Sequence, residues 1–387
     1  MLGQIYEVTV MNLLNLPSRM SASSVIVVGI GGVVAVLLGL LSMAEGFQAS
    51  LEKMGKADRA IIMRDGTSSE MNGAMTPADR ATIKAMDGVV QGSGETYVVA
   101  AINKIGTDIS ANVVVRGVEP ESFGIRSEVQ MIDGRRFELG KAEVIVGVKA
   151  ASQFEGLNIG DKLPVRDQVW TVVGHFASDG SATEGEIWAD LANVNSAYRR
   201  GGISNTMRVR LTDEGTASAL DERLKADPRF DLMVRSEREF YAAQSEDRTE
   251  LINGFGVAVG VIMAIGAVFA ALNTMYSAVS TRTVEIATLR ALGFGSVPVV
   301  ISVMIESLTL ALLGGLIGGG LVWLVFDGYT ASTLNDASFS QVAFDFAVTP
   351  ELFQMGLIWA LVLGLVGGAF PAIRAATIPI TTALRGE

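Results

Sequence analysis

Four apolar runs, each long enough to cross a bilayer, constrain this chain more than any other feature. A spanning helix takes roughly 20 apolar residues. The runs cover Ser23 to Ala44, Leu251 to Ser280, Val297 to Phe326 and about Leu352 to Ile373. The first, second and fourth carry no charge in their cores, and the third carries one, Glu306. Only 18% of the residues are charged, against about 25% in soluble domains. A net charge of −11 argues against a nucleic-acid partner, which needs clustered Lys and Arg. With no Cys and a single His, His175, disulfides, thiolate zinc sites and His-rich metal sites are excluded. His175 reads as an ordinary surface or core histidine. The first run exceeds the h-region of a cleaved signal peptide, about 7–15 residues, and reads as an uncleaved anchor.

Loop cations set the expected orientation. Arg19 precedes the first span, Arg282 and Arg290 lie between the second and third, and Arg374 and Arg385 follow the fourth. The segment between spans three and four holds Asp327, Asp336, Asp345 and Glu351 without a cation. Both termini are therefore expected in the cytoplasm of a multi-pass plasma (inner) membrane protein. The expected order is an amphipathic N-terminal helix at 1–18, transmembrane helix 1 at 19–44 and an extracytoplasmic domain at 45–250. Transmembrane helix 2 follows at 251–280, a cytoplasmic loop at 281–296 and transmembrane helix 3 at 297–326. A short outer loop at 327–351, transmembrane helix 4 at 352–373 and a cytoplasmic tail at 374–387 complete the chain. Leu2, Tyr6, Thr9, Val10, Leu13 and Leu16 fall near helical spacing before Pro17, which predicts a helix lying on the inner leaflet.

Residues 45–250 are polar and turn-rich. Asn112–Gly117, Glu143–Val148, Val169–Gly174 and Thr206–Leu211 are β-branched runs that read as strands. Thr76-Pro77-Ala78-Asp79 opens a helix, with Thr as N-cap, Pro at the first turn and Asp at N3. A second helix runs from about Thr216 to Ala226, and a third from Glu237 to about Arg248 continues into span two. The fold class is thus a membrane protein of four transmembrane α-helices. A large α+β extracytoplasmic domain is inserted between helices 1 and 2, in two lobes, with 115–205 the strand-rich one.

Three features carry functional weight. Thr283–Gly293 is a short helix with a mostly apolar surface (Val284, Ala287, Leu289, Ala291, Leu292), two charges (Glu285, Arg290) and Gly293 as a C-terminal stop. Such a face must be covered, and either a docked partner or the lipid surface would do it. Gly314 with Gly318, and Gly315 with Gly319, permit close helix approach, within the chain or across a dimer. Glu306 is an intramembrane carboxylate. Without further ionisable groups in the spans it reads as a structural hydrogen-bonding group rather than a proton relay. No G-x-x-x-x-G-K-[ST] phosphate loop occurs.

These residues resemble the MacB/FtsX-like ABC transporter permeases. That family has an E-I-x-x-L-R-A-L-G coupling helix, an acidic residue in the third span and a glycine-rich stretch after it. Here they are Glu285-Ile286 with Leu289-Arg290-Ala291-Leu292-Gly293, then Glu306, then Gly314-Gly315 and Gly318-Gly319-Gly320. The ending Pro371-Ala372, Arg374-Ala375-Ala376, Pro379 and Ala383-Leu384-Arg385 is also similar, with a single Arg374 where the family often has two basic residues. Gly134-Arg135, Phe137, Glu143–Gly147, Leu157, Gly160-Asp161 and Leu163 match the family's outer-domain pattern.

The resemblance implies a permease subunit without a fused nucleotide-binding domain and with no catalytic residue or cofactor of its own. ATP and Mg would be bound by two copies of a separate cytoplasmic ABC ATPase. The implied partners also include a second permease copy, membrane lipid, and a periplasmic adaptor with an outer-membrane channel. It implies mechanotransmission, in which ATP-driven closure moves the outer domains to expel a substrate. Alternatives within the family are activation of a cell-wall hydrolase, as in FtsX-like proteins, and lipoprotein release, as in LolC/E-like permeases. Outside it stands a membrane-anchored binding module with no energy input.

Overall fold

The computed structural model describes residues 2–15, 20–335 and 339–385. Leu16, Pro17, Arg19 and Asp336 lie outside the described residues, as do the side chains of Leu2, Arg248, Leu384 and Arg385. The chain divides into two compact units: 1–45, 250–329 and 346–387 in one, 46–249 and 330–345 in the other.

The first unit is helical. It holds α1 (Leu2–Leu14), most of α2 (Met20–Glu52), the later part of α8 (Glu237–Thr281), α9 (Thr283–Ala291), α10 (Ser296–Phe326), α11 (Pro350–Thr377) and α12 (Ile380–Arg385). Among the described residues, α2, α8, α10 and α11 are the four helices long and apolar enough to cross a membrane. Lipid offers no hydrophobic drive for helix association, so close packing must supply it. Small residues do this here. A Cβ on Gly318 would stand 2.2 Å from the Gly31 carbonyl oxygen of α2, and one on Gly314 2.8 Å from that of Val27. On the neighbouring face, Gly315 meets Ala360 and Gly319 meets Phe353 of α11. Gly364 and Gly368 of α11 abut Ala311 and Ser307 of α10, and Ser307 Oγ donates to the Gly364 carbonyl at 2.7 Å. The Gly314/Gly318 and Gly315/Gly319 faces of α10 are therefore occupied within the chain.

Helix α1 forms over the expected stretch. Its buried residues are Val8, Thr9 and Asn12, while Tyr6 and Leu14 are exposed. The Asn12 side chain hydrogen-bonds Ser302 Oγ, and Ser302 Oγ donates to the Val8 carbonyl at 3.3 Å. The helix is thus docked on α10 by polar contacts that an apolar-spacing argument does not see. Beyond the fourth span, α11 runs on to Thr377 and the chain turns into α12, so the expected tail is largely helical.

The second unit is built on one ten-stranded sheet in the order β10-β1-β9-β2-β3-β8-β5-β7-β4, with β6 beside β7. The strands are β1 (Arg59–Arg64), β2 (Val89–Asn103), β3 (Ser110–Val118), β4 (Gln130–Gly134), β5 (Glu143–Gly147), β6 (Lys162–Val165), β7 (Gln168–Ala177), β8 (Ile187–Asp190), β9 (Thr206–Leu211) and β10 (Leu232–Ser236). Strand β2 is 15 residues long. Its first half pairs with β9 and its second half with β3, so the two lobes share it. Alternation fills a core on each half of one face. Ala60, Ile62, Met207, Val209 and Leu211 meet α3 (Pro77–Lys84) and α7 (Thr216–Ala226). Val113, Val115, Val144, Val146, Trp170 and Ile187 meet α5 (Val148–Gln153) and α6 (Leu191–Ala197). Helix α3 starts as its residues dictate: Thr76 Oγ1 accepts from the Asp79 N–H and Asp79 accepts from the Thr76 N–H, at 3.2 and 2.9 Å.

The segment expected as a short outer loop between spans three and four instead forms a hairpin, β11 (Thr330–Asn335) with β12 (Ser340–Asp345), that belongs to the sheet unit. Thr330–Asn335 is polar without alternation, so spacing does not mark it as a strand.

Gly318→Ala should cost about 1–3 kcal/mol, as overpacking against a fixed backbone does. Gly320→Ala, with nothing within 4 Å of the new Cβ, should be neutral or stabilising. Thermal melts of the two purified variants test the contrast.

Candidate functional site

Two constellations stand out, one in each unit. In the helical unit, α9 sits between α8 and α10 with one face turned out. Val284, Glu285, Thr288, Ala291, Leu292 and Gly293 are exposed, Leu292 to 74%. Ala287 is 2% exposed and faces inward. Leu289 is half-buried, and Arg290 donates to the Ile378 carbonyl between α11 and α12. Of the eight residues that the spacing singled out, Ala287 and Arg290 therefore seat the helix, and Thr288 joins the free face that they leave.

The ends of α9 are also fixed. Gly293 has φ +97°, a left-handed conformation natural only to glycine. The Gly293 N–H donates to the Arg290 carbonyl and the Phe294 N–H to the Leu289 carbonyl, both at 3.1 Å, the double bond of a Schellman cap. At the other end, Arg282 Nη1 donates to Glu306 Oε2 at 2.8 Å, both side chains buried. Glu306 is therefore half of an ion pair joining the root of α9 to α10. The pairing satisfies a charge that hydrocarbon would not tolerate alone.

The C-terminal residues fall nearby. Pro371 is buried inside α11, and the Arg374 guanidinium lies over the Tyr276 ring at 5.4 Å. The Pro379 carbonyl accepts from the Ala383 N–H at 3.1 Å, at the start of α12. Gln4 of α1 reaches the Gly293 carbonyl at 3.5 Å. Helices α1, α9 and α12 thus form a braced platform.

In the sheet unit, the face opposite the two apolar cores carries a buried ion network that the sequence reading missed. Arg116 on β3 grips Glu186 with two bonds, at 2.8 and 2.7 Å, and also reaches Glu95 at 2.8 Å and Glu70 at 3.0 Å. Arg126, which caps the end of α4 (Ser122–Ile125), donates to the same Glu95 at 2.8 Å. Arg208 on β9 bonds Glu70 and the Tyr241 hydroxyl, each at 3.1 Å, and pairs with Glu237. Glu237 and Tyr241 open α8, so the start of that helix is held by the sheet. Arg59 forks onto Glu128 at 2.6 and 2.7 Å, and the Glu237 carboxylate also accepts from the Lys56 N–H at 3.2 Å. The available signal was a cation inside a β-branched run, Arg116 in VVVRG and Arg208 in MRVRL.

Burial by itself would raise the carboxyl pKa values here, but the guanidinium groups outweigh it. Arg126, Arg208 and Arg116 hold Glu95 down at about 2, and Arg116 and Arg208 hold Glu70 below the usual range. Burial raises the Tyr241 hydroxyl, against the pull of Arg208. An unfolded Glu titrates near 4.3. A carboxyl depressed on folding stabilises the fold above that pH and ceases to do so as pH falls toward its folded value. Stability of this unit should therefore be level above about pH 5 and fall as pH drops through 4 toward about 2. Trp188, whose indole donates to Glu186 at 2.7 Å, reports the loss by fluorescence. Glu95→Gln removes the charge that Arg126, Arg116 and Arg208 share and should cost about 3–5 kcal/mol.

The family model described as the MacB-like periplasmic core domain matches residues 23–227, and the FtsX-like permease C-terminal model matches residues 257–380. The macrolide export ATP-binding/permease protein MacB of Nitrobacter winogradskyi is 27% identical over 387 residues, covering 93% of this chain and 57% of that protein. The protein of the same name in Hyphomonas neptunium is 25% identical over 393 residues, covering 94% and 57%. The chain thus spans little more than half the length of these two relatives. The crystal structure of the periplasmic region of MacB from Actinobacillus actinomycetemcomitans aligns with a TM-score of 0.38 and 12% identity, covering 48% of this chain and 92% of that one. With a family model matched across more than half its length, this chain belongs to the MacB/FtsX-like family of ABC transporter permeases.

Proposed function

We propose that this chain is the membrane subunit of an energy-coupled ABC complex, and that it receives its work from a separate ATPase docked on the free face of α9. The observation that carries this reading is the contrast within α9. Both ends of the helix and its inner face are fixed, by the Arg282–Glu306 pair, the Gly293 cap and the Arg290 contact. Its outer face nonetheless presents Val284 and Leu292, 53% and 74% exposed, beside Glu285 and Thr288. A helix braced in this way passes a push on to α8 and α10 instead of yielding to it. The cations Arg282, Arg290 and Arg374 on this side favour the cytoplasm, where an ATPase with its ATP and Mg would be met.

A second copy would pair through α8, which carries exposed Phe255, Ile262 and Phe269 at seven-residue spacing, and lipid would cover the remaining apolar surface. The Arg208–Glu237–Tyr241 contacts support α8 as the rod that moves the sheet, and mechanotransmission to a substrate already outside follows. An adaptor and outer-membrane channel are further proposed partners. Activation of an extracytoplasmic hydrolase would use the same platform and rod, with a different outer partner.

Affinity purification in nanodiscs tests the reading. Wild type should bring an ABC ATPase with it, and Leu292→Asp should lose that partner while its melting temperature holds. A wild type that stays dimeric and carries no ATPase would sink the energy-coupled reading in favour of a passive binding module. The other co-purified proteins separate export from hydrolase control.

A further inference from the structure

The chain between α10 and α11 does more than reverse direction. Strands β11 and β12 pair over six positions, but a two-stranded hairpin by itself is marginal in water. Here it is fastened at every level to the unit it belongs to. Phe344 is 0% exposed and meets the Phe47 ring edge-on at 5.5 Å. Lys149 Nζ, on a 5% exposed side chain, lies 3.0 Å from Asp345 Oδ2 and 3.7 Å from Glu184. Tyr97 of β2 hydrogen-bonds Ser340 at 2.9 Å, Asn112 of β3 donates to the Phe339 carbonyl at 2.9 Å, and Lys104 reaches Ser332 at 3.2 Å.

The base of the hairpin is held just as firmly within the helical unit. The Phe346 N–H donates to the Tyr329 carbonyl at 3.0 Å, and the Ala347 N–H to the Ser42 carbonyl of α2 at 3.1 Å. The Val348 N–H donates to Asp327 at 3.2 Å. The Phe326, Tyr329 and Phe346 rings pack at centroid distances of 5.5 to 6.4 Å.

We propose that this hairpin is a rigid strap by which α10 and α11 act on the sheet unit, alongside α8, with Phe344 and the Lys149–Asp345 pair as the positioning residues that keep it taut. The inference rests on the energy-coupled reading and deepens it by naming a second transmission element. A helix pair that moved without the strap would leave the sheet connected only through α2 and α8. A taut strap makes all four spans contribute to one displacement. The strap works by staying docked, so disrupting its contacts uncouples the unit, and fixing them covalently does no harm.

The chain contains no Cys, which makes the test clean. A Cβ on Gly185 would stand 3.0 Å from the Ala343 Cβ, close to the separation that a disulfide spans after slight relaxation. Spin labels are placed at Ile105, an exposed position at the β2–β3 turn, through a non-natural amino acid, so that thiols stay free for cross-linking. The complex with its ATPase is measured with and without ATP-vanadate, alongside ATP hydrolysis.

Wild type should show a nucleotide-dependent distance shift. Phe344→Ala should lose it while hydrolysis continues, and Asp345→Ala should reduce it. Gly185→Cys with Ala343→Cys in the Phe344→Ala background should restore the shift when oxidised and lose it again when reduced. The same pair in the wild-type background should leave the shift intact. A wild type with no shift overturns the coupled reading and the strap together. A wild-type shift that Phe344→Ala leaves unchanged, or that the cross-link abolishes, overturns the strap alone.

Discussion

Arg116 and Arg208, each about 1% exposed, are the groups on which the outer unit depends. A guanidinium taken out of water is tolerated only when its donors meet carboxylates in good geometry. Arg116 answers this with Glu186, Glu95 and Glu70, and Arg208 with Glu70, Glu237 and Tyr241. Glu70 and Glu95 are shared between the two cations, so the loss of either is felt by both. The network crosses β3, β2 and β9 and ends on the first turns of α8. A lock of this kind contributes less to net stability than apolar packing would, but it fixes where α8 begins and how its root is held.

The helical unit meets the same requirement in a different solvent. Without hydrophobic drive, backbones must approach closely, and Gly31, Gly314, Gly318 and Gly364 allow it. The Glu306 carboxylate is neutralised by Arg282, and that pair anchors α9 at the point where α8 ends. Packing and charge pairing thus act on the same short helix.

Much of this was legible in the residues. The Thr76 capping box, the Thr216–Ala226 helix and the start of α8 at Glu237 follow from local chemistry and stand where the spacing put them. Strand β9 coincides with the run Thr206–Leu211. Other elements gave no such signal. Gly92, Gly94 and Glu95 interrupt β2, whose apolar half begins only at Tyr97. The five buried residues at the start of β1 show no alternation because both faces of the sheet are covered there. The inward turn of Ala287 and Arg290 was not readable either, because the polar residues Thr283, Glu285, Thr288 and Arg290 fall on opposite sides of the helix and leave no single polar face to orient it.

The sequence alone determined that four runs are long and apolar enough to span a membrane, because length and hydropathy are local properties. It also determined which short helix lies between spans two and three, because capping and spacing act within a few residues. Tertiary structure decided which charges are buried together, because Glu70, Glu95, Arg116, Arg208 and Glu237 come from five separate segments that only the sheet brings within hydrogen-bonding distance. It likewise turned the glycine faces of α10 inward and made a hairpin of the sheet unit from the segment between α10 and α11. The physical reason is the same in each case: a contact between distant segments depends on what lies opposite, and a residue's own neighbours in the chain do not carry that information.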